Sequence, residues 1–361
     1  MQSEKYLDGE LQAAEQPARK RRSKKTNLLI SVHAITFLIG LAVLIFVIYR
    51  IGYQSLLDSL ASVGWGFAAI LTLNLTRHLL RSASMYLAIA PDHRNFRFHN
   101  AVAARFGGEA VNFFSFTGPF LGDATRAVLL KKDISLTQSA SAVIIDNILY
   151  YVTVVLMVLA GVVVLLINYG SSGSTMTRVL LAIVLVALAL FAALMIAILK
   201  RVKPISRIIG FMEKRDIAPS FLMRKRPGLL DVERNVFQFY HDRKADFFTL
   251  FGISLSVHAI SVVEVFFALR FLGYDAAVSV AFIIESLTKV INAVFGFIPG
   301  TIGVYEGGNG LILKTLGYTT ALGVALALVR RGAILFSTFL GLVILLWRGA
   351  ARGAKHLAEK N

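Results

Sequence analysis

Seven apolar segments, each near the length of a membrane-spanning helix, constrain this chain more than any other feature of its sequence. About 20 apolar residues are needed to cross the hydrocarbon core as a helix. The segments are Leu28–Tyr49, Trp65–Leu80, Ala140–Ile167, Thr177–Leu199, Phe247–Leu272, Ala277–Ile298 and Gly332–Trp347. Only 16% of the 361 residues are charged, whereas a soluble domain has about a quarter. The pattern predicts an all-α polytopic transmembrane bundle of about seven to eight spans and excludes an ordinary soluble globule.

Two further apolar stretches, Asn100–Leu130 and Pro299–Arg331, are interrupted by glycine, proline and charged residues. Non-helical backbone at membrane depth is tolerated only where protein buries it or where it lines a water-filled cavity. We therefore expect two broken or re-entrant helices. Each has an apolar lead, a Gly/Pro break, an acidic residue and a basic-ended helix, which indicates an internal repeat with a midplane transport site. Between the first two spans, Ile51–Ser62 has the pattern of an amphipathic helix at the membrane surface.

Loop charges predict the orientation and the domain organisation. The interval 200–244 contains twelve Lys/Arg against five Asp/Glu, whereas Asn168–Met176 has no charge. The positive-inside rule places the first in the cytoplasm, together with both termini, and the second outside. The first apolar segment is too long for a signal peptide and lacks a small-residue cleavage pattern, so we expect a retained span. The predicted units are a disordered basic tail (1–26), a transmembrane domain (27–348, with a cytoplasmic loop at 200–245) and a second basic tail (349–361).

The formal net charge is +17, and there is no cysteine. Because the basic residues concentrate at segment ends, the expected partners are membrane lipids with anionic headgroups rather than nucleic acid. Disulfides and thiol chemistry are excluded. The sequence has no phosphate loop, dinucleotide fingerprint, zinc-helix motif or nucleophile elbow. We therefore predict no catalytic residue, no metal and no cofactor, and a homo-oligomer stays open.

The first candidate site lies in Asn112–Lys132, NFFSFTGPFLGDATRAVLLKK. Pro119 after Thr117-Gly118 suits a helix start. A helix beginning there places Asp123 and Arg126 on one face, three residues apart. Charges are costly in hydrocarbon, so these two side chains should face each other or a polar cavity. A structural ion pair and a direct substrate contact are both open.

The second candidate site is Phe297–Gly310, which contains five glycines. A helix that resumes after such a break directs its amide groups and the positive end of its dipole at an anion, and a lipid phosphate would fit. The alternative is that the glycines permit close helix packing. Nearby, Glu285 and Lys289 are spaced to pair on one helix, and together with Glu264 they are candidates for ion or proton coupling.

These motifs resemble the lysylphosphatidylglycerol synthase transmembrane-region family of flippase-like integral membrane proteins. The family order of Asn, Pro, Gly-Glu and Arg resembles Asn112, Pro119, Gly122-Asp123 and Arg126, with Asp in place of Glu. The family's Pro, glycine turn and Gly-Val-x-Glu resemble Pro299, Gly300, Gly303, Val304 and Glu306, with Gly317 and Arg330 downstream. A family Glu-Arg pair aligns with Asp146-Asn147, where the arginine is missing. The resemblance covers roughly residues 65–347.

The resemblance implies translocation or positioning of an anionic phospholipid or lipid-linked glycan in the bacterial cytoplasmic (inner) membrane. Arg126 would attract the phosphate, while Asp123 and Glu306 would orient arginines or bind a counter-cation. The residues that it suggests for substrate binding are Asn112, Pro119, Asp123, Arg126, Pro299, Gly300, Gly303, Glu306 and Arg330. One alternative is a membrane-embedded enzyme or accessory subunit of lipid, glycolipid or hopanoid biosynthesis. Another is an ion-coupled secondary transporter, which depends on Glu264 and Glu285.

Overall fold

A computed structural model of the chain describes residues 45, 49, 52–115, 120–169, 182, 185–186, 188–189, 192, 196, 203–215, 217 and 219–358, with side chains up to Arg348. This part of the chain contains eleven α-helices, two one-turn 3-10 helices and no strand. The helices are α1 Tyr53–Val63, α2 Gly66–Ala88, α3 Phe98–Phe113, α4 Phe120–Leu130, α5 Leu136–Tyr169, α6 Pro204–Lys214, α7 Ser220–Asp242, α8 Lys244–Phe271, α9 Val278–Phe295, α10 Val304–Thr315 and α11 Thr320–Ala358. The 3-10 helices are Pro91–His93 and Pro299–Thr301. The all-α prediction is confirmed.

Four described helices, α5, α8, α9 and α11, are long and apolar enough to cross a membrane, and the bent pair α1–α2 raises the number to five. Each coincides with a predicted apolar segment, although α11 begins well before Gly332 and continues into the predicted carboxyl-terminal tail. The predicted spans Leu28–Tyr49 and Thr177–Leu199 lie almost entirely outside the described residues, as do the amino-terminal tail and most of the loop Asn168–Met176. The total of seven to eight spans stays a prediction.

The predicted amphipathic helix is α1, which meets α2 at an angle of 102°. Gly64, at the corner, has φ +55°, a conformation that glycine adopts without the steric cost paid by other residues. On α1, Leu56 is buried and packs with Leu328 and Leu335 of α11. The helix therefore packs one face against α11, and its position at the membrane surface stays a prediction.

The charged interval before α8 folds into the helix pair α6–α7. Glu233 of α7 accepts hydrogen bonds from the backbone N–H of Ile205 at 2.8 Å and of Ser206. It thereby caps the amino terminus of α6. Phe239 of α7 is buried against Leu149 of α5, so this pair packs onto the bundle through one face.

The first broken stretch folds into an antiparallel hairpin of α3 and α4. Asn100, at the start of α3, donates a hydrogen bond of 3.0 Å to Asp133, just beyond α4, so both ends lie together. The helices cross at Gly108 and Gly122, where a Cβ at Gly108 would come within 2.7 Å of the Gly122 carbonyl oxygen. The hairpin agrees with the expectation of a broken or re-entrant helix, and Arg105 of α3 is buried.

The second broken stretch, Pro299–Arg331, contains the 3-10 helix Pro299–Thr301, α10 and the first part of α11. The preceding helix α9 and α10 form a hairpin that is joined through Pro299–Thr301. Ile291 of α9 packs closely against Gly308 of α10. The tips of the two hairpins meet, since a Cβ at Gly300 would lie 2.9 Å from the Phe113 ring. The two sequence breaks, far apart in the chain, are thus adjacent in the fold.

Candidate functional site

Charged side chains fill the space between the two hairpins and the long helices. They form two clusters held by ion pairs. The first cluster consists of Arg81, Arg105, Glu109, Asp123, Arg126 and Asp146. The second cluster consists of Arg77, Glu264, Glu285, Lys289 and Arg330. Ionisable groups within apolar helices are costly unless paired, which accounts for the number of ion pairs.

In the first cluster, Arg126 joins the two arms of the α3–α4 hairpin. Its Nη1 pairs with Asp123 Oδ1, as the three-residue spacing predicts. Its Nη2 lies 2.9 Å from Glu109 Oε2 on α3. The Arg126 side chain is 4% exposed, whereas Asp123 and Glu109 are 21% and 30% exposed. The two carboxylates therefore form the accessible rim, and the guanidinium lies beneath it.

Asp146 on α5 is the most deeply buried carboxylate of the first cluster. It is 1% exposed and lies 2.7 Å from Arg81 Nη2 and 3.5 Å from Arg105 Nη1. Asn147 accepts a hydrogen bond from Arg81 and donates one of 2.7 Å to Asp123. At the Asp146-Asn147 position, where the family arginine is missing, α2 and α3 supply the guanidinium partners instead.

The second cluster is a chain of alternating charges across four helices. Glu264 on α8 lies 2.8 Å from Arg77 Nη1 and 2.9 Å from Arg330 Nε. Glu285 on α9 lies 2.8 Å from Arg330 Nη2 and 2.8 Å from Lys289 Nζ. The predicted Glu285–Lys289 pair is present, and Arg330 links both carboxylates.

Tyr150 of α5 stands between the two clusters. The Arg81 guanidinium lies 3.9 Å from its ring centroid, within range of a cation–π contact. On the second cluster's side, Lys289 donates a hydrogen bond of 3.4 Å to its hydroxyl oxygen. The clusters are therefore neighbours, separated by one aromatic side chain.

The glycine turn, residues 300–303 at the tip of the second hairpin, is held by side chains of α10 and α11. Glu306 accepts a hydrogen bond of 2.8 Å from the backbone N–H of Gly303 and so caps α10. Arg331 pairs with Glu306 and donates to the Gly300 carbonyl oxygen. Thr301 has φ +50°, which is strained for a β-branched residue. Glu306 occupies part of the helix amino terminus that the sequence suggested for an anion.

The sequence-predicted site residues divide between these places. Asn112 packs against Gly122 at the hairpin crossing, while Pro119 lies outside the described residues. The structure places Arg330, downstream of the glycine motif in sequence, in the second cluster, and it places the adjacent Arg331 at the turn.

Five cluster members did not enter the predicted site, namely Arg77, Arg81, Arg105, Glu109 and Asp146. The available signal was the pair Arg77 and Arg81, which are four residues apart at the end of an apolar segment. Like charges at that spacing repel, so each needs a carboxylate from another helix.

Several buried guanidinium nitrogens in the clusters have no hydrogen-bond partner among the described residues. They are Arg81 Nε and Nη1, Arg105 Nε, Arg126 Nε and Arg330 Nη1. Buried polar groups are nearly always paired in native structures. The clusters thus hold spare donors for an acceptor such as phosphate, with which arginine makes bidentate contacts.

The fold and these clusters define a polytopic helical membrane protein with a charged interior. The family model described as the lysylphosphatidylglycerol synthase TM region matches residues 33–341, and the chain belongs to this family. No curated protein and no solved structure matches the chain.

Proposed function

We propose that this protein moves the headgroup of an anionic lipid, or of a lipid-linked glycan, between the two leaflets of the cytoplasmic membrane. The headgroup would pass the tips of the two hairpins at the first cluster, while the acyl chains stay in lipid. The observation that carries the proposal is the set of three buried arginines, Arg81, Arg105 and Arg126, with unpaired N–H donors.

The first cluster is suited to exchanging one acid partner for another. Arg126 is held by two carboxylates that are both partly exposed, Glu109 and Asp123. A phosphate that reaches the rim can accept hydrogen bonds from the Arg126 guanidinium in place of the two carboxylates, which are then hydrated. Arginine serves this purpose better than lysine because its planar fork matches phosphate oxygens. Asp146 keeps Arg81 and Arg105 fixed beneath.

The proposal is tested in liposomes with fluorescent phosphatidylglycerol in one leaflet. Reconstituted protein should speed the exchange of label between leaflets. Arg126→Gln should reduce the rate to that of protein-free liposomes, whereas Arg126→Lys should retain part of it, because the charge remains and the fork is lost. The control is Arg234→Gln, which removes an equally charged side chain that is 65% exposed on α7. Equal rates for Arg126→Gln and the parent would contradict the proposal.

The same assay separates the alternatives. Exchange that appears only under an imposed proton or sodium gradient would favour an ion-coupled transporter. Chemical conversion of the labelled lipid would favour an enzyme of lipid synthesis. Folding of each variant is checked first by size-exclusion chromatography, since removal of the buried Arg126 guanidinium breaks its ion pairs with Glu109 and Asp123 and can also destabilise the bundle.

A further inference from the structure

The second cluster contains one more positive charge than negative charge. Its cations are Arg77, Lys289 and Arg330, and its carboxylates are Glu264 and Glu285. Both carboxylates are 1% exposed, and each is shared between two cations. The first cluster, by contrast, has three arginines and three carboxylates.

The remainder of the chain cannot supply the missing negative charge at membrane depth. The sequence has no Asp or Glu between Glu15 and Asp58, or between Asp146 and Glu213. The two predicted spans outside the described residues fall within these intervals and therefore bring no carboxylate. Tyr150, the polar neighbour of Lys289, offers only a hydroxyl.

An uncompensated charge in a low-dielectric interior is strongly unfavourable. Arg330, whose side chain is 5% exposed, also has an Nη1 without a hydrogen-bond partner in the described part of the chain. From the charge excess and this unused donor we infer that the second cluster binds one anion. The ligand class is a monovalent anion, either a free inorganic ion or the headgroup of an anionic phospholipid. The inference stands apart from the proposed translocation, because the charge count holds whatever the protein transports.

The arrangement of the ion pairs allows the net charge of the second cluster to be changed by single substitutions. Arg330→Gln leaves Arg77 with Glu264 and Lys289 with Glu285, so two balanced pairs remain. Lys289→Gln leaves Arg330 for Glu285, and Arg77→Gln leaves Arg330 for Glu264. Each single change therefore removes the excess without stranding a carboxylate. Glu285→Gln has the opposite effect and raises the excess to two.

The measurement is the Tm of the purified full chain in detergent. In the first arm, sodium chloride replaces sodium gluconate at constant ionic strength. In the second arm, phosphatidylglycerol replaces phosphatidylcholine in gluconate. We expect a saturable rise in Tm in one arm at least, since a ligand that binds only the folded state raises stability by mass action. A rise with chloride identifies a free anion, and a rise with phosphatidylglycerol alone identifies the headgroup of an anionic phospholipid.

The variants Arg330→Gln, Lys289→Gln and Arg77→Gln, in which the second cluster has no net charge, should lose this rise in Tm. Glu285→Gln should show a larger rise. The matched control is Arg234→Gln on the solvated face of α7, which should keep the full rise. No rise in either arm for the parent would overturn the inference. An undiminished rise in all three neutral variants would overturn it as well, because the anion would then bind elsewhere. If the parent protein shows the rise in Tm but does not translocate lipid in liposomes, the proposed function is refuted and the anion site is retained.

Discussion

Replacing Asp146 by asparagine removes one buried charge with almost no change in side-chain shape. Asp146 is the partner of Arg81 at 2.7 Å and of Arg105 at 3.5 Å. After Asp146→Asn, the first cluster has three arginines and only two carboxylates. The side chains of Asp146 and Arg81 are 1% and 5% exposed, so solvent screens this pair little.

The size of the effect follows from the geometry. Two unit charges 2.7 Å apart attract by about 6 kcal/mol at an effective dielectric constant of about 20. Desolvation offsets much of that attraction, and removal of one partner of a buried pair costs about 3–5 kcal/mol. We expect this loss for Asp146→Asn and a similar loss for Arg81→Gln. The double variant restores equal charge, with Arg105 and Arg126 against Glu109 and Asp123, and should lose less than the two single losses combined.

Unfolding by sodium dodecyl sulfate in mixed micelles, followed by circular dichroism, measures all four proteins of this cycle. Arg234→Gln serves as the surface control and should stay within about 0.5 kcal/mol of the parent. Additive losses in the double variant would show that Arg81 and Asp146 are not coupled. An Asp146→Asn protein as stable as the parent would refute the buried-charge reasoning itself.

Two adjacent glycines of α10 separate ligand contact from packing, because a Cβ at Gly307 meets nothing within 4 Å, whereas one at Gly308 collides with Ile291. Gly307→Ala should keep the parent's Tm and slow translocation if a headgroup passes there, while Gly308→Ala should cost about 1–3 kcal/mol of stability; the reverse order would contradict the site. Arg331→Gln strands Glu306 and should lower stability by about 3 kcal/mol, as measured by the same unfolding assay. Cysteine at Arg207, in a chain without native cysteine, should react with an impermeant maleimide only in inside-out vesicles, and labelling of intact cells would overturn the predicted orientation.

The predictions that the structure confirms came from local sequence patterns. Apolar runs located the long helices, and spacings of three and four residues placed Asp123 beside Arg126 and Glu285 beside Lys289. These contacts form within a single helix, so helical periodicity is sufficient to predict them.

The contacts between helices were beyond such patterns. Arg81 and Asp146 are 65 residues apart, and Arg77 and Glu264 are 187 apart, so only the packing of the bundle brings each pair together. Arg330 and Arg331 are adjacent in sequence but contact different sites. Adjacent residues point about 100° apart on a helix with 3.6 residues per turn. One arginine therefore reaches the second cluster and its neighbour reaches the glycine turn.

The central claim, that a lipid headgroup reaches the tip of the first hairpin, is tested most directly by its position. A phospholipid with a thiol-reactive headgroup is added to vesicles of single-cysteine variants. Leu121→Cys lies on the first turn of α4 and is 50% exposed, and the control Val263→Cys lies within α8 and is 39% exposed. The account predicts rapid modification at residue 121 and almost none at residue 263, where only acyl chains should be in contact. Equal modification of both positions would contradict it.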